Sequence, residues 1–402
     1  MANEIGERGD IVRLVLGDEE VKAYGSYQVT SSVFQQPAAF TMKFGWSDVM
    51  RNLLKRYPPN TEFSLFIGER RIGGGWIDDP HAKGGQSGSE LNISGRDIMS
   101  RVYDSFVDAE QSFANKTYLD LLREVLNKVG LADRDILPTN EANRKAISGG
   151  RTTGVKENFT TFVTVEEDVF TYTKNKKTVY NSIKATRGQR WFDFLQTELK
   201  KVGLFMWADS LGGFVIARPN GDQQPLYRIV RFRGDSRDVS GIKEYDFHNN
   251  IAHRYTKAVV YGRAGGRKFG RKKLRGEYVD AEMSALLGGD DGKQIVYHEP
   301  DVDSVKAAEF VARWQIAEAN RTSWTLSYTV AGHTTVGMNG EFPVVWTPDT
   351  VVEVDDDEIG IQGRFYISEV TFNRGPQTTT DLTLMRPQDL VFGEDAKKAT
   401  AA

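Results

Sequence analysis

Apolar and polar residues alternate with a period of two along much of this chain. Phe40, Met42, Phe44 and Trp46 form one such run, Phe63, Leu65 and Ile67 another, and Trp324, Leu326, Tyr328 and Val330 a third. Successive side chains of a strand point to opposite faces, so each run predicts a strand buried on one side only. Gly, Asp and Pro punctuate the runs, as antiparallel connections require.

From the start of the chain, Ile11 to Leu16 predicts a strand ended by Gly17-Asp18-Glu19-Glu20, with a return through Tyr24, Tyr27 and Val29. Ser47 can cap a short helix whose face is Val49, Met50, Leu53, Leu54 and Tyr57, stopped at Pro58-Pro59. Ile72 to Asp79 runs back through Gly73-Gly74-Gly75, read as a turn or bulge, and Leu91 and Ile93 mark a further strand. Residues 5–106 thus predict an all-β unit. A second such unit lies near the end. Trp346-Thr347-Pro348-Asp349 opens a run with Val352 and Val354 on one face, Asp355 to Glu358 makes an acidic turn, and Phe365, Ile367 and Leu382-Thr383-Leu384 follow. Several short strands in series predict a barrel or a sandwich.

The middle changes period. Thr117 and Asp120 form a capping box ahead of Leu122, Val125, Leu126 and Val129, which predicts a helix over 117–129. A second, over 188–202, carries Trp191, Phe194, Leu195 and Val202 on one face, with Gly203 beyond it. Residues 138–187 are polar and suggest weak strands only. The chain therefore divides into a β unit at 5–106, a middle α+β domain at 107–235, and a discontinuous β unit at 236–262 plus 324–387. An insert at 263–323 holds a basic loop and a helix over 304–320, where Ala307, Phe310, Val311, Trp314 and Ala317 recur at helical spacing. Residues 388–402 are expected to be a flexible tail. The class is α+β and β-rich.

Composition narrows the function. A chain of 402 residues exceeds what one core normally serves. A net charge of −3 gives no general attraction for polyanions. The absence of cysteine excludes disulfides, thiol catalysis and cysteine-ligated metals, and suits assembly in a reducing cytoplasm. No signal-peptide core or membrane-length apolar run occurs.

Candidate chemistry is sparse. Arg263, Arg267, Lys268, Arg271, Lys272, Lys273 and Arg275 form a basic run that can contact a polyanion or a partner protein. Phe269 is the one aromatic interleaved with it, so a solvated or interface loop is the plainer reading. The acidic stretch Asp355 to Glu358 lacks the alternating Asp and central Gly of a calcium loop. The five histidines, His81, His248, His253, His298 and His333, are scattered without metal-ligand spacing. The Gly73 to Gly75 triplet lacks the Lys-Ser/Thr of a phosphate loop. No catalytic, cofactor or metal site is expected, and the chain does not read as an enzyme.

Several stretches resemble one family in its order. They are Pro59 to Gly68, Gly75-Trp76-Ile77-Asp78 and Leu91 to Asp97; then Trp191 to Leu195 with Gly212-Gly213-Phe214-Val215-Ile216; then Trp346-x-Pro348 with Tyr366 to Phe372 and Leu382 to Leu384. Together they resemble the baseplate hub proteins of contractile-tailed phages. This is the late control protein D family of Mu-type phages, related to the N-terminal half of type VI secretion spike proteins. The resemblance implies two tail-tube-like antiparallel β-barrels per subunit and a homotrimer whose six barrels form a pseudo-sixfold ring. It implies tail tube protein, a separate central spike protein and other baseplate proteins as partners. DNA enters only as cargo in the channel. The implied location is the virion tail baseplate, after synthesis in the bacterial host cytoplasm. The alternatives are a tail-associated peptidoglycan hydrolase and a polyanion-binding module using residues 263–275.

Overall fold

A computed structural model describes residues 10–21, 24–45, 47–86, 88–113, 118–131, 136–138, 163–165, 183–200, 205–209, 213–232, 241–262, 274–299, 302, 305–340 and 343–390. The first lobe contains β1 (Val12–Leu16), β2 (Glu19–Val21), β3 (Tyr24–Ser32), β4 (Ala39–Gly45), helix α1 (Asp48–Arg56), β5 (Glu62–Ile67), β6 (Arg70–Gly85) and β7 (Gly88–Asp97). Its strands pair antiparallel in the order β3-β4-β7-β6-β5-β1-β2. The predicted alternation is visible in β4, where Phe40, Met42 and Phe44 are buried and Ala39, Thr41, Lys43 and Gly45 are exposed. The glycine triplet lies inside β6, next to a bulge at Ile72 that shifts the register against β5. Gly75 has a steric reason: a Cβ there would sit 2.0 Å from the Arg96 carbonyl oxygen.

The middle region holds α2 (Met99–Tyr103), β8 (Gln111–Phe113), α3 (Tyr118–Lys128), β9 (Ile136–Pro138), β10 (Val163–Val165), β11 (Ile183–Ala185), α4 (Trp191–Lys200), β12 (Phe205–Ala208) and β13 (Phe214–Ala217). Both predicted helices are present over their described residues. Their apolar faces meet in a separate core where Phe113 stacks on Phe194 (5.5 Å between centroids) beside Val125, Leu122 and Trp191.

The rest of the chain forms β14 (Tyr227–Arg231), β15 (Ile242–Asn249), β16 (Lys257–Gly262), β17 (Arg275–Val279), α5 (Ala281–Leu287), β18 (Gln294–Glu299) and α6 (Val305–Ser323). It continues with β19 (Trp324–Ala331), β20 (Thr334–Thr335), β21 (Val344–Val345), β22 (Thr350–Asp356), β23 (Ile361–Arg374), β24 (Thr378–Met385) and a 3-10 turn at Pro387–Asp389. The second lobe runs β15-β19-β24-β23-β22-β14.

Two expected boundaries move. Lys257–Gly262, expected in the second β unit, is instead the centre of a three-stranded sheet, β17-β16-β18, inside the insert. The physical reason is its pattern: Ala258, Val259 and Val260 are consecutive and all buried, unlike the one-sided strands of the lobes. Ala258 and Val260 pack on Ala308, Ala312 and Ile316 of α6. Of the predicted stripe on α6, Phe310 and Ala317 are buried together in a small cluster and Val311 packs at the edge of the insert core, while Trp314 is only half-buried. Tyr227–Arg231, expected in the middle domain, pairs parallel with β22 and belongs to the second lobe. Within the expected tail Asp389 is buried and Leu390 half-buried, while Gln388 is exposed.

The lobes are not separate. β23 pairs antiparallel with β3, from Glu369↔Ser32 to Arg374↔Tyr27, which joins both lobes into one thirteen-stranded sheet. A single apolar core runs beneath it, from Leu14 and Phe40 to Tyr328 and Leu384. Among the described residues this strand path is open, ending at β2 and β15 with β14 as a side branch.

Candidate assembly surface

Strand register assembles a second feature on the side of the sheet opposite the core. Residues directly across a ladder share a face, so the pairings can be followed from strand to strand. Glu244, Asp246 and His248 of β15 sit across from Thr329, Ser327 and Thr325 of β19. Thr329, Ser327 and Ala331 lead to Asp381, Thr383 and Thr379 of β24, and these to Thr371, Glu369 and Asn373 of β23. The face crosses the seam to Thr30, Ser32 and Gln28 of β3, then passes through Thr41 and Lys43 of β4 to Ser94 and Asn92 of β7. It ends at Asp79, His81 and Lys83 of β6.

Eight strands thus present one polar face, and its side chains bond to each other. Thr30 and Thr371 hydroxyls lie 3.1 Å apart, Gln28 donates to Asn373 (3.2 Å), Thr329 donates to Asp381 (2.7 Å), and Asn373 donates to the other Asp381 oxygen (2.7 Å). Hydroxyls and amides dominate. Such a surface offers little for an apolar partner to grip, and at the seam Ser32 and Thr371 are themselves buried.

The two ends of this face differ. At the β15 end, every residue from Lys243 to Asn249 is exposed, and the outer backbone edge has no strand beside it among the described residues. Tyr245 lies under the Arg231 guanidinium (4.2 Å), and its hydroxyl donates to Glu358 (3.2 Å), while Arg231 also pairs with Glu358. Beside β6, arginines and aromatics interleave. Arg101 covers Trp76 (4.4 Å), and Arg190 covers both Tyr103 (4.5 Å) and Phe106 (5.6 Å). Arg96 bridges Asp78 (2.6 Å) and Asp104 (2.6 Å), and its hydrogen bond holds the Asp104 carboxyl below the usual range. Phe106 is 54 % exposed.

Two polar clusters are buried instead. At the seam, Thr380 donates to the Gly332 carbonyl (2.6 Å), so its oxygen accepts from His333 Nδ1 (2.9 Å). His333 Nε2 then accepts from the Tyr27 hydroxyl (2.9 Å), whose oxygen accepts from the Val12 amide (3.0 Å). This network needs a neutral imidazole, and burial pushes the His333 pKa down to about 4. At the root of the insert, Arg254 is fully buried. Its Nε donates to Asn320 (2.9 Å), and its Nη2 pairs with Glu282 (2.9 Å). Glu282 also takes Arg386 (2.8 Å), which is bound to Asp389 (2.7 Å). Burial alone would raise the Glu282 pKa, but Arg254 and Arg386 outweigh it and lower it.

Of the predicted basic run, Arg263, Arg267, Lys268, Arg271, Lys272 and Lys273 lie outside the described residues. Arg275 opens β17 and pairs with Glu277 (2.7 Å). Within the acidic turn, Asp356 is fully buried and accepts from the Tyr328 hydroxyl (2.8 Å) and the Glu358 amide (3.0 Å), a structural role. Trp346 is buried against Tyr227 (4.5 Å), so it belongs to the interior of one subunit. Among the described residues, no three His, Asp or Glu side chains are grouped to hold a metal ion. No described helix is long and apolar enough to cross a membrane. The polar face and its ends escaped the sequence reading because alternation marks inward and outward positions within a strand but not which strands adjoin.

No family model matches the chain, and no curated protein matches it. Solved structures do. A 43 kDa tail protein of prophage MuSo2 from Shewanella oneidensis is similar over 94 % of this chain and 99 % of its own, with a TM-score of 0.69 at 16 % identity. A tail protein from Neisseria meningitidis MC58 is similar over 94 % of this chain and 97 % of its own, with a TM-score of 0.70 at 19 % identity. An E. coli type VI secretion component, itself described as structurally similar to the T4 tail proteins gp27 and gp5, covers 92 % of this chain and 76 % of its own at 8 % identity, with a TM-score of 0.51. The chain carries the fold of these tail and type VI secretion proteins, β-rich, with two antiparallel β units flanking helix-containing regions.

Proposed function

We infer that this chain is a structural, non-enzymatic baseplate hub of a contractile phage tail or related injection system. In this reading three copies form a ring that joins the tail tube to a separate central spike, beside other baseplate proteins in the virion. Its work is mechanical and geometric. A sixfold tube and a threefold spike need an adaptor, and two like β lobes in each of three subunits supply both symmetries.

The observation that carries the reading is the polar face running unbroken across the seam. A sheet that is apolar beneath and lined with hydroxyls and amides above is suited to form the wall of a wet channel. Its acidic members, Glu244, Asp246, Glu369, Asp381 and Asp79, outnumber its lysines, Lys43 and Lys83, so it offers passing nucleic acid no net attraction. The likeness of fold to phage tail proteins supports the same reading.

Light scattering on the purified chain, with negative-stain images of the same peak, tests it. A particle of three times the chain mass, seen as a ring with a central hole, is expected. A monomer at the highest soluble concentration, alone or with tube and spike proteins, would sink the ring.

A further inference from the structure

Each lobe supplies four strands to the polar face, β15-β19-β24-β23 in the second and β3-β4-β7-β6 in the first. The two sets share their irregularities. A bulge at Lys243 shifts β15 against β19, as one at Gly25 shifts β3 against β4. A bulge at Ser368 shifts β23 against β24, as one at Asp78 shifts β6 against β7. Thus β15 corresponds to β3, and β23 to β6. Their pairing differs. Beyond its bulge β23 has a strand on each side, β24 and β3. The same stretch of β6, Asp79 to Gly85, pairs with β7 alone, since β5 pairs with β6 only as far as Trp76. β15 pairs with β19 alone. Two free edges of similar length therefore flank one face, among the described residues.

We propose that the free edge of β6 pairs with β15 of a second copy of this chain, in the register of the seam between β23 and β3. This inference rests on the ring reading and deepens it by naming the contact. Neighbouring strands alternate in direction across all eight, so β6 meets the next β15 antiparallel, as β23 meets β3. Counted from the bulges, the seam pair Thr371↔Thr30 becomes His81 opposite His248. Lys83 then lies opposite Asp246 and diagonal to Glu244, which sets the register by charge. On the other face, Ala82 and Gly84 leave room for Phe247 and Tyr245, 36 % and 37 % exposed in the single chain. Pro80, in the place of Val370, has no N–H, which makes this edge a poor template for indiscriminate pairing. The contact is head-to-tail and closes into a ring when the rotation allows.

The chain has no cysteine, so introduced thiols report the contact without background. The full chain carrying both His81→Cys and His248→Cys is oxidised with diamide and run on a non-reducing gel. Covalent trimers that dithiothreitol returns to monomers are expected, because directly opposed residues lie within disulfide reach. His81→Cys with Phe247→Cys, on opposite faces, should stay monomeric on the gel. Light scattering across a dilution series follows charge: Lys83→Asp and Asp246→Lys should each raise the dissociation constant about tenfold, and the double variant should recover most of it. All these positions are exposed, and circular dichroism confirms folding. A wild-type ring whose His81→Cys/His248→Cys variant is folded and associates but does not cross-link overturns this contact and leaves the ring standing. Equal cross-linking in the opposite-face pair, or no recovery in the charge-swapped double, overturns the register. A wild-type chain that never associates overturns both readings.

Discussion

Two of the junctions in this molecule are built on opposite principles. The seam between the lobes is a strand ladder over a continuous apolar core, with β3 against β23 and Val29 beside Phe372. The root of the insert is ionic. Arg254, Glu282, Arg386 and Asp389 meet there, while the apolar core of the insert stays separate from that of the lobes. Apolar burial is non-directional and scales with area, so the seam contributes stability. Buried ion pairs lose much of their Coulomb energy to desolvation and mainly specify orientation. The lobes are thus fused into one body, whereas the insert is aimed.

The contrast can be broken most severely at the seam. Phe372→Ala, at a site 2 % exposed, should cost about 3–5 kcal/mol and lower the denaturant midpoint of both lobes together. If only one lobe unfolds earlier, the shared core is not a cooperative unit. At the insert root, Arg254→Met keeps much of the volume but takes the cation from the buried Asp280 carboxylate (3.9 Å) and leaves Glu282 with Arg386 alone. A loss of about 3 kcal/mol is expected, read as faster amide exchange in β16 and α6 with the lobes unchanged. Equal acceleration in the lobes would erase the distinction between the junctions.

Acid sharpens the comparison. His333 has its pKa lowered from 6.5 to about 4, so the stability it confers is complete above pH 6.5 and is lost as the pH falls toward 4. Asp97 and Asp349 are raised to about 7 by burial, so they act in the opposite sense. Their contribution is complete below pH 3.8 and is lost as the pH rises through 7. The opposed slopes partly cancel in the wild type. Two carboxyls against one imidazole leave a net gain on acidification between pH 6.5 and 4; Asp349→Asn should bring these groups near balance and flatten it, and His333→Gln should steepen it, both followed by chemical denaturation at each pH. The smallest effect is that of salt. Glu282 is half-exposed, so screening in 1 M salt should loosen the insert root by well under about 1 kcal/mol and leave the seam untouched. Amide exchange at Ala252 to Thr256 reports it.

Much of the fold was legible in the chain. The alternation of Phe40, Met42 and Phe44, and of Trp324 to Val330, located β4 and β19, because each strand must put one face on a core. Periodicity located α3, α4 and α6, since that signal is local, while Thr117 and Gly203 of the expected caps lie outside the described residues. The Gly73 to Gly75 triplet, expected as a turn or bulge, does lie beside a bulge, but the close backbone approach at Gly75 came only with the fold. What tertiary structure alone decided was adjacency. The Ala258 to Val260 run reads like any buried strand, and only its partners put it in the insert. Asp356 reads as one of four acidic turn residues, and only the fold placed its carboxylate inside, against Tyr328. The polar face is the clearest instance. Each strand announces its own outward residues, but the join of β3 to β23, more than three hundred residues apart, is set by the burial of one core beneath both lobes, a contact that no local pattern encodes.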